Sequence, residues 1–215
     1  MAGVRHHDAD MTDERPRRLS ESSRVEAFSD GVFSIAITLL VLELAIPAVR
    51  GGFASQLFDE WISYVAYLAG FGSIGVLWMG HHTVFSRIRA VDAGLLWRNL
   101  VLLLTVSVVP FPTAVIASAF RVGSEQDQAA AVVSYAVVGM ASGVAWLLLF
   151  SYLRGHRNLI DPNTDPQFFR LTEPLLTLVG YGIAALIGWL VSPAIALAIF
   201  LVFPAVYVLR VRSAS

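Results

Sequence analysis

The 215-residue sequence contains no cysteine and no lysine. Without cysteine there can be no disulfide, no thiolate nucleophile and no Cys-ligated zinc or iron–sulfur centre. Without lysine, all fifteen basic residues are arginine, a bias that suits a GC-rich genome and carries no functional reading. Charge is scarce: Asp, Glu, Lys and Arg make up 14% of the chain, against about 25% in ordinary soluble domains. Fifteen basic and sixteen acidic residues leave a net charge of −1. That balance offers no excess of cations to neutralise phosphates, so nucleic-acid binding is excluded. No nucleophile–base pair or glycine-rich phosphate loop stands out, and the chain is read as a non-enzyme without a cofactor.

What the sequence has instead is hydrocarbon. Hydrophobic residues are 56% of the chain and the mean hydropathy is +0.67. A chain so poor in polar surface belongs in a bilayer. A spanning helix needs about 20 mostly apolar residues, and six stretches qualify or nearly do: Ala27 to Ile46, Trp61 to Met79, Leu95 to Ala117, Ala129 to Leu153, Pro174 to Val191, and Pro193 to Leu209. The last two are short, joined at Val191-Ser192-Pro193, and could be a hairpin or a re-entrant pair. The expected fold is therefore all-α and polytopic, with six transmembrane helices.

The arginines test that count. With the N-terminus cytoplasmic and six crossings, thirteen of the fifteen fall at cytoplasmic ends and only Arg50 and Arg121 fall outside. This asymmetry is the positive-inside pattern and puts both termini in the cytoplasm. Five crossings would place Arg210 and Arg212 outside. Residues 1–23 are polar, of mixed charge, and lack the apolar stretch of a signal peptide. Residues 1–20 read as a disordered cytoplasmic tail, leaving 21–212 as the membrane domain. Ser23-Arg24-Val25-Glu26 has capping-box spacing, so the first helix is expected to start there. Asp161, Asn163 and Asp165 alternate as calcium ligands can, but Pro162, Pro166 and the missing distal Glu break that pattern and favour a structural loop.

Ionisable groups inside a membrane segment are expensive and imply a function or a specific partner. The first helix carries Arg24, Glu26, Asp30 and Glu43. Glu43 can reach the outer interface, whereas Asp30 lies about two turns in and needs a cation or several donors. At about 100° per residue, Thr38, Leu39 and Leu42 fall within about 60° of Ile35. Gly31 and Ile46 share that stripe, and Asp30 lies about 140° away, flanked by Ser29 and Ser34. The stripe could face lipid, or it could face copies of itself around a symmetry axis.

The run Arg24-Val-Glu-Ala-Phe28-Ser29-Asp30, followed by Gly-Val-Phe-Ser-Ile-Ala-Ile-Thr-Leu-Leu-Val-Leu-Glu-Leu, resembles the first helix of the transmembrane protein 175 family of potassium channels, in its single-repeat bacterial branch. Trp78-Met-Gly-His81-His82-Thr-Val-Phe85 resembles the end of that family's second helix, and Asn99-Leu with Pro110-Phe111-Pro112-Thr113 its third. The likeness covers residues 20–120 well. It implies a homotetrameric, moderately selective potassium channel in a bacterial plasma membrane. The pore would be lined by the first helix, without a carbonyl filter. By position, Ile35, Leu39 and Leu42 would form the constriction with Thr38 beside it. Arg24, Phe28, Ser29, Asp30, Trp78, His81 and Asn99 would form a structural polar network.

Other features compete. Val179-Gly180-Tyr181-Gly182 resembles the core of an ordinary potassium filter. It interrupts a segment apolar enough to span, however, and lacks the loop that a carbonyl filter needs. Gly180 and Gly182, like Gly139 and Gly143, read better as close-packing positions. His81 and His82 diverge by about 100° and cannot easily share one ion. The alternative function is a proton-coupled transporter using Asp30 and His81 or His82. No internal repeat supports it, and the kinks at Pro110, Pro112 and Pro204 are expected toward helix ends.

Overall fold

The computed structural model describes residues 14–44 and 52–213. Eight α-helices follow in order: α1 Glu14–Leu42, α2 Phe53–Asp59, α3 Trp61–Phe85, α4 Ala93–Val108, α5 Pro110–Val122, α6 Glu125–Gly155, α7 Thr172–Leu190 and α8 Pro193–Ser213. Five stretches are long and apolar enough to cross a membrane: Glu21–Leu42, Trp61–Phe85, Ala93–Val122, Glu125–Gly155 and Pro166–Leu190. With 21 residues, α8 rises about 31 Å, the thickness of a hydrocarbon core.

Three boundaries differ from the sequence reading. Helix α1 begins at Glu14, inside the stretch read as a disordered tail, and continues through Ser23, where the start was expected. Pro16 sits in its first turn, where a missing N–H costs nothing, and no breaker follows. Residues 1–13 lie outside the described residues, as does the end of the first segment beyond Leu44. The third segment is not one helix. Pro110 lacks an N–H and crowds the carbonyl four residues back. Val109 N–H therefore turns to Val106 O at 3.1 Å, and α5 restarts with Thr113 N–H on Val109 O. That break lies near the middle of the 93–122 span, and Pro204 lies inside α8. Pro110 and Pro112 do stand at a helix end, in the first turn of α5; for Pro204 the expectation of a helix end is corrected.

Two apolar clusters hold the bundle. One joins Phe33, Ala36 and Leu40 of α1 to Ile74, Val106, Ile116, Tyr135, Tyr181 and Phe200. The other gathers Phe85, Leu95, Leu102, Trp146, Leu149, Leu153 and Phe169 near one end. Three of the four small-residue positions act as read, Gly182 having only an ordinary 3.7 Å contact to Met140. A Cβ on Gly139 would lie 2.5 Å from the Tyr181 ring, and one on Gly143 would lie 3.3 Å from the Leu178 backbone nitrogen. These glycines let α6 and α7 approach closely. Val179 to Gly182 lie within continuous α7, with Gly180 against Phe203.

Connections sort to two ends. Ile88, after α3, bridges Ile160, after α6, and Arg89 N–H donates to Leu159 O at 2.9 Å. Ser22 Oγ donates to Ile88 O at 3.2 Å, so the start of the first crossing sits at the same end. Within that loop Asp161 accepts from Asn163 N–H and Asp165 from Gln167 N–H. These carboxylates pin turns, as the prolines suggested. At the other end Arg121 reaches Glu60 at 3.5 Å, and Ser124 with Asp127 forms a capping box on α6. The arginine-rich loops after α3 and α6 thus share an end, opposite Arg121.

Candidate functional site

Helix α1 is asymmetric. Ser22, Ser29, Phe33, Ala36 and Leu40 are buried, at the three- and four-residue spacings of one helical face. It packs on α3, α4 and α5. The opposite face is bare: Ile35 is 61% exposed, Leu39 41% and Leu42 74%, and Thr38 and Gly31 are exposed with them. The wheel stripe is therefore a continuous unpartnered surface within one subunit. Thr38 Oγ1 donates to Ile35 O at 2.9 Å. A hydroxyl has one proton and two lone pairs; once the proton is committed to the helix, what the side chain offers outward is an acceptor.

On the buried side the polar network forms between three helices. His81 Nε2 and Asn99 Oδ1 are 2.9 Å apart, Asn99 Nδ2 donates to Ser29 Oγ at 3.0 Å, and Ser29 Oγ donates to Val25 O at 2.8 Å. The direction is fixed from the far end. Ser29 spends its proton on Val25, so it must accept from the Asn99 amide. The Asn99 oxygen is then left to accept from His81 Nε2–H. Nε2 of the imidazole therefore carries a proton, and Nδ1 is buried without a partner among the described residues. Phe85 stacks on the ring at 4.0 Å and Phe33 leans on it at 5.4 Å.

Of the cation or donors that Asp30 was expected to need, it finds a donor. Its Oδ1 accepts from Trp78 Nε1–H at 2.9 Å, and it is half-buried. Arg24 is exposed, as is Phe28 at 58%; neither enters the His81–Asn99–Ser29 chain. The expected residues form two separate sets, Ser29 with Asn99 and His81, and Asp30 with Trp78, and Arg24 and Phe28 join neither within a subunit. Sequence reasoning missed two members. Phe33 packs on His81, and Glu26 meets His82 Nδ1 at 2.9 Å. Phe33 lies four residues after Ser29, on the same face, which was the available signal. His82 also stacks on Trp78 at 6.0 Å, as the four-residue spacing implied. Among the described residues no group of three or more His, Asp or Glu side chains could hold a metal ion.

Comparison with known proteins points to one family. The family model described as the endosomal/lysosomal potassium channel TMEM175 matches residues 24–110. A protein of Streptomyces collinus named as a potassium channel is 41% identical over 172 residues, covering 79% of this chain and 82% of the relative. One from Chamaesiphon minutus, also named as a potassium channel, is 36% identical over 184 residues, covering 80% and 88%. The crystal structure of a lysosomal potassium-selective channel TMEM175 homolog from Chamaesiphon minutus superposes with a TM-score of 0.78. It is 32% identical, with 89% of this chain and 98% of that one covered.

Proposed function

Since the chain belongs to the TMEM175 family, we propose that it is a potassium channel whose pore is lined by side chains of α1. The single observation that carries the pore reading is the bare Ile35–Leu39–Leu42 stripe. It lies on a helix whose other face is fully engaged by α3, α4 and α5. Four copies of α1 around an axis would stack these residues into apolar rings. Apolar rings supply no ligands to replace water around an ion, and a narrow one can dewet and act as a barrier. The Thr38 oxygens, with their protons held by Ile35 O, would form a ring of acceptors one turn beyond Ile35. Potassium gives up hydration water more readily than sodium, so a partly dehydrating passage beside such a ring favours potassium, though less strictly than a carbonyl cage. The assembly is a homotetramer in a bacterial plasma membrane, with the arginine-rich end cytoplasmic.

The relay needed by a proton-coupled transporter finds no support in the bonding. Asp30 is bound to Trp78, His81 to Asn99 and His82 to Glu26, in three separate contacts. The test is current across a planar bilayer with potassium on one side and sodium on the other. Ile35→Asn should raise conductance by wetting the ring, and Thr38→Ala should move the reversal potential toward non-selectivity with the tetramer intact. Unchanged conductance and reversal potential in both variants would mean that ions do not pass along this face.

A further inference from the structure

A groove of about 320 Å³ runs between α3, α6, α7 and α8, on helices away from the α1 stripe. No residue of α1 lines it, so a ligand held there depends on a membrane setting but not on the pore reading. Its deep end is closed by Tyr135, whose hydroxyl donates to Ser73 Oγ at 3.0 Å. Ser73 is the thirteenth of the twenty-five residues of α3, at the middle of that crossing. Its outer end is walled by Thr83, Phe168 and Glu173, beside the loops where Ile88 bridges Ile160. From Ser73 to Val84 along α3 is about 16 Å, half of the about 30 Å hydrocarbon core. The groove is therefore one leaflet deep and starts at the headgroup level of the arginine-rich end.

The walls ask for no hydrogen bonds. Thr83, Ser142 and Thr177 bond carbonyls of their own helices, and most other lining side chains are apolar. Among the lining residues charge appears only at the mouth, on Glu173, with a cation close behind it. Arg87 does not itself line the groove; its guanidinium stands against the lining residue Phe168, 4.2 Å from the ring centroid, and its Nε is buried with no partner among the described residues. The Glu173 carboxylate lies on the same rim. A hydrocarbon slot one leaflet deep, capped by a cation and an anion, matches a lipid with an acyl chain, a phosphate and an ammonium group. We infer that this groove is a binding site for an aminophospholipid of the arginine-rich leaflet. One acyl chain fills the slot down to Tyr135, the phosphate meets Arg87 and the ammonium meets Glu173.

The test is native mass spectrometry of the purified full chain in mild detergent. It is titrated in turn with phosphatidylethanolamine, phosphatidylglycerol and diacylglycerol. Phosphatidylethanolamine should bind best and diacylglycerol, which lacks phosphate, least. Val76→Phe and Val138→Phe place a ring in the slot; displacing even two methylenes should weaken phosphatidylethanolamine binding about tenfold. Arg87→Gln should abolish the advantage over diacylglycerol, and Glu173→Gln the advantage over phosphatidylglycerol. Equal binding of the three lipids, or wild-type binding by both groove-filling variants, overturns the inference. If neither groove-filling variant is recovered folded, bilayers of phosphatidylethanolamine with brominated chains decide. Trp146 lines the slot and is only 9% exposed. Excess quenching that disappears in Trp146→Phe supports the site, and quenching unchanged by that substitution overturns it.

Discussion

Asn99 makes two bonds that cross between helices, one to His81 and one to Ser29, while Trp78 makes one, to Asp30. Interhelical hydrogen bonds within membranes contribute about 0.6 kcal/mol on average and up to about 1.7. Asn99→Leu should therefore cost about 1–3 kcal/mol and Trp78→Phe less, measured by reversible unfolding in micelles. Equal losses would mean that the buried chain contributes nothing beyond packing. Asp30 illustrates how a residue can be legible in importance and illegible in partner. Its place in an apolar helix announced that something must satisfy it. Which group does so depends on the rotation of α3 against α1, and a one-dimensional pattern does not carry that. The sequence asked for a cation or several donors, and the family resemblance put Trp78 in the same network; the geometry supplies the Trp78 indole N–H. Losing Asp30 thus removes one hydrogen bond at a half-exposed position rather than stranding a buried counter-charge. Asp30→Asn, which keeps an acceptor for Trp78, should stay assembled on size-exclusion chromatography. Dissociation of that variant would show that the carboxylate charge itself holds subunits together.

At the scale of the helix, small-residue spacing was readable and proline placement was not. Gly139-x-x-x-Gly143 marked a contact face from sequence alone, because only hydrogen side chains allow backbones so near. Gly139→Leu would thrust its side chain into Tyr181, whose ring would meet even a Cβ at 2.5 Å. It should lower the thermal midpoint by several degrees, and Tyr181→Ala should partly restore it; additive losses would rule out the clash. A kink at Pro110 was expected, but near the end of a segment drawn from 95 to 117; only the bounds 93–122 put the proline at the middle of the span. Helix α4 also has a start that the composition did not disclose. Asp92 caps it, accepting from Leu95 N–H at 2.8 Å and Tyr152 Oη–H at 2.7 Å. Desolvation pushes the Asp92 pKa up, but the hydrogen bonds from Leu95 and Tyr152 outweigh it and hold the carboxyl below its ordinary value. A carboxylate lowered by folding stabilises fully above its unfolded pKa and loses that contribution as pH falls through the folded one. Acid should therefore loosen this helix start. Hydrogen exchange near residues 93–96 should rise below the ordinary carboxylate range in the wild type, and the rise should be absent in Asp92→Asn.

For the whole molecule, the arginine count and the loop pairing agree from independent directions. The count needed only that Arg50 and Arg121 lie opposite the rest. The geometry places Arg121 beside Glu60 at one end and Arg87 and Arg89 against the α6–α7 loop at the other. Single cysteines at Ser55 and Ser124 should react with an impermeant maleimide added to intact cells, while one at Asn158 should react only after lysis. Labelling of Asn158→Cys from outside would invert the orientation. The pairing of the Ile88 and Ile160 loops was invisible beforehand because it depends on chain segments some seventy residues apart.

The length of α1 has a mechanical side. Its 29 residues make a rod of about 43 Å, against a hydrocarbon core of about 30 Å. Ser22 on the Ile88 carbonyl and Ser29 on Asn99 act as two bearings along that rod. The eight residues before Ser22 project beyond the first bearing as a lever of about 12 Å. No proline interrupts the shaft between Ser22 and Ile35. Torque applied to the lever must therefore reach the stripe. About 60° separates Thr38 from Ile35 around the helix, and the buried Phe33, Ala36 and Leu40, with Ser22 and Ser29 bonded to their neighbours, hold the shaft against a turn of that size.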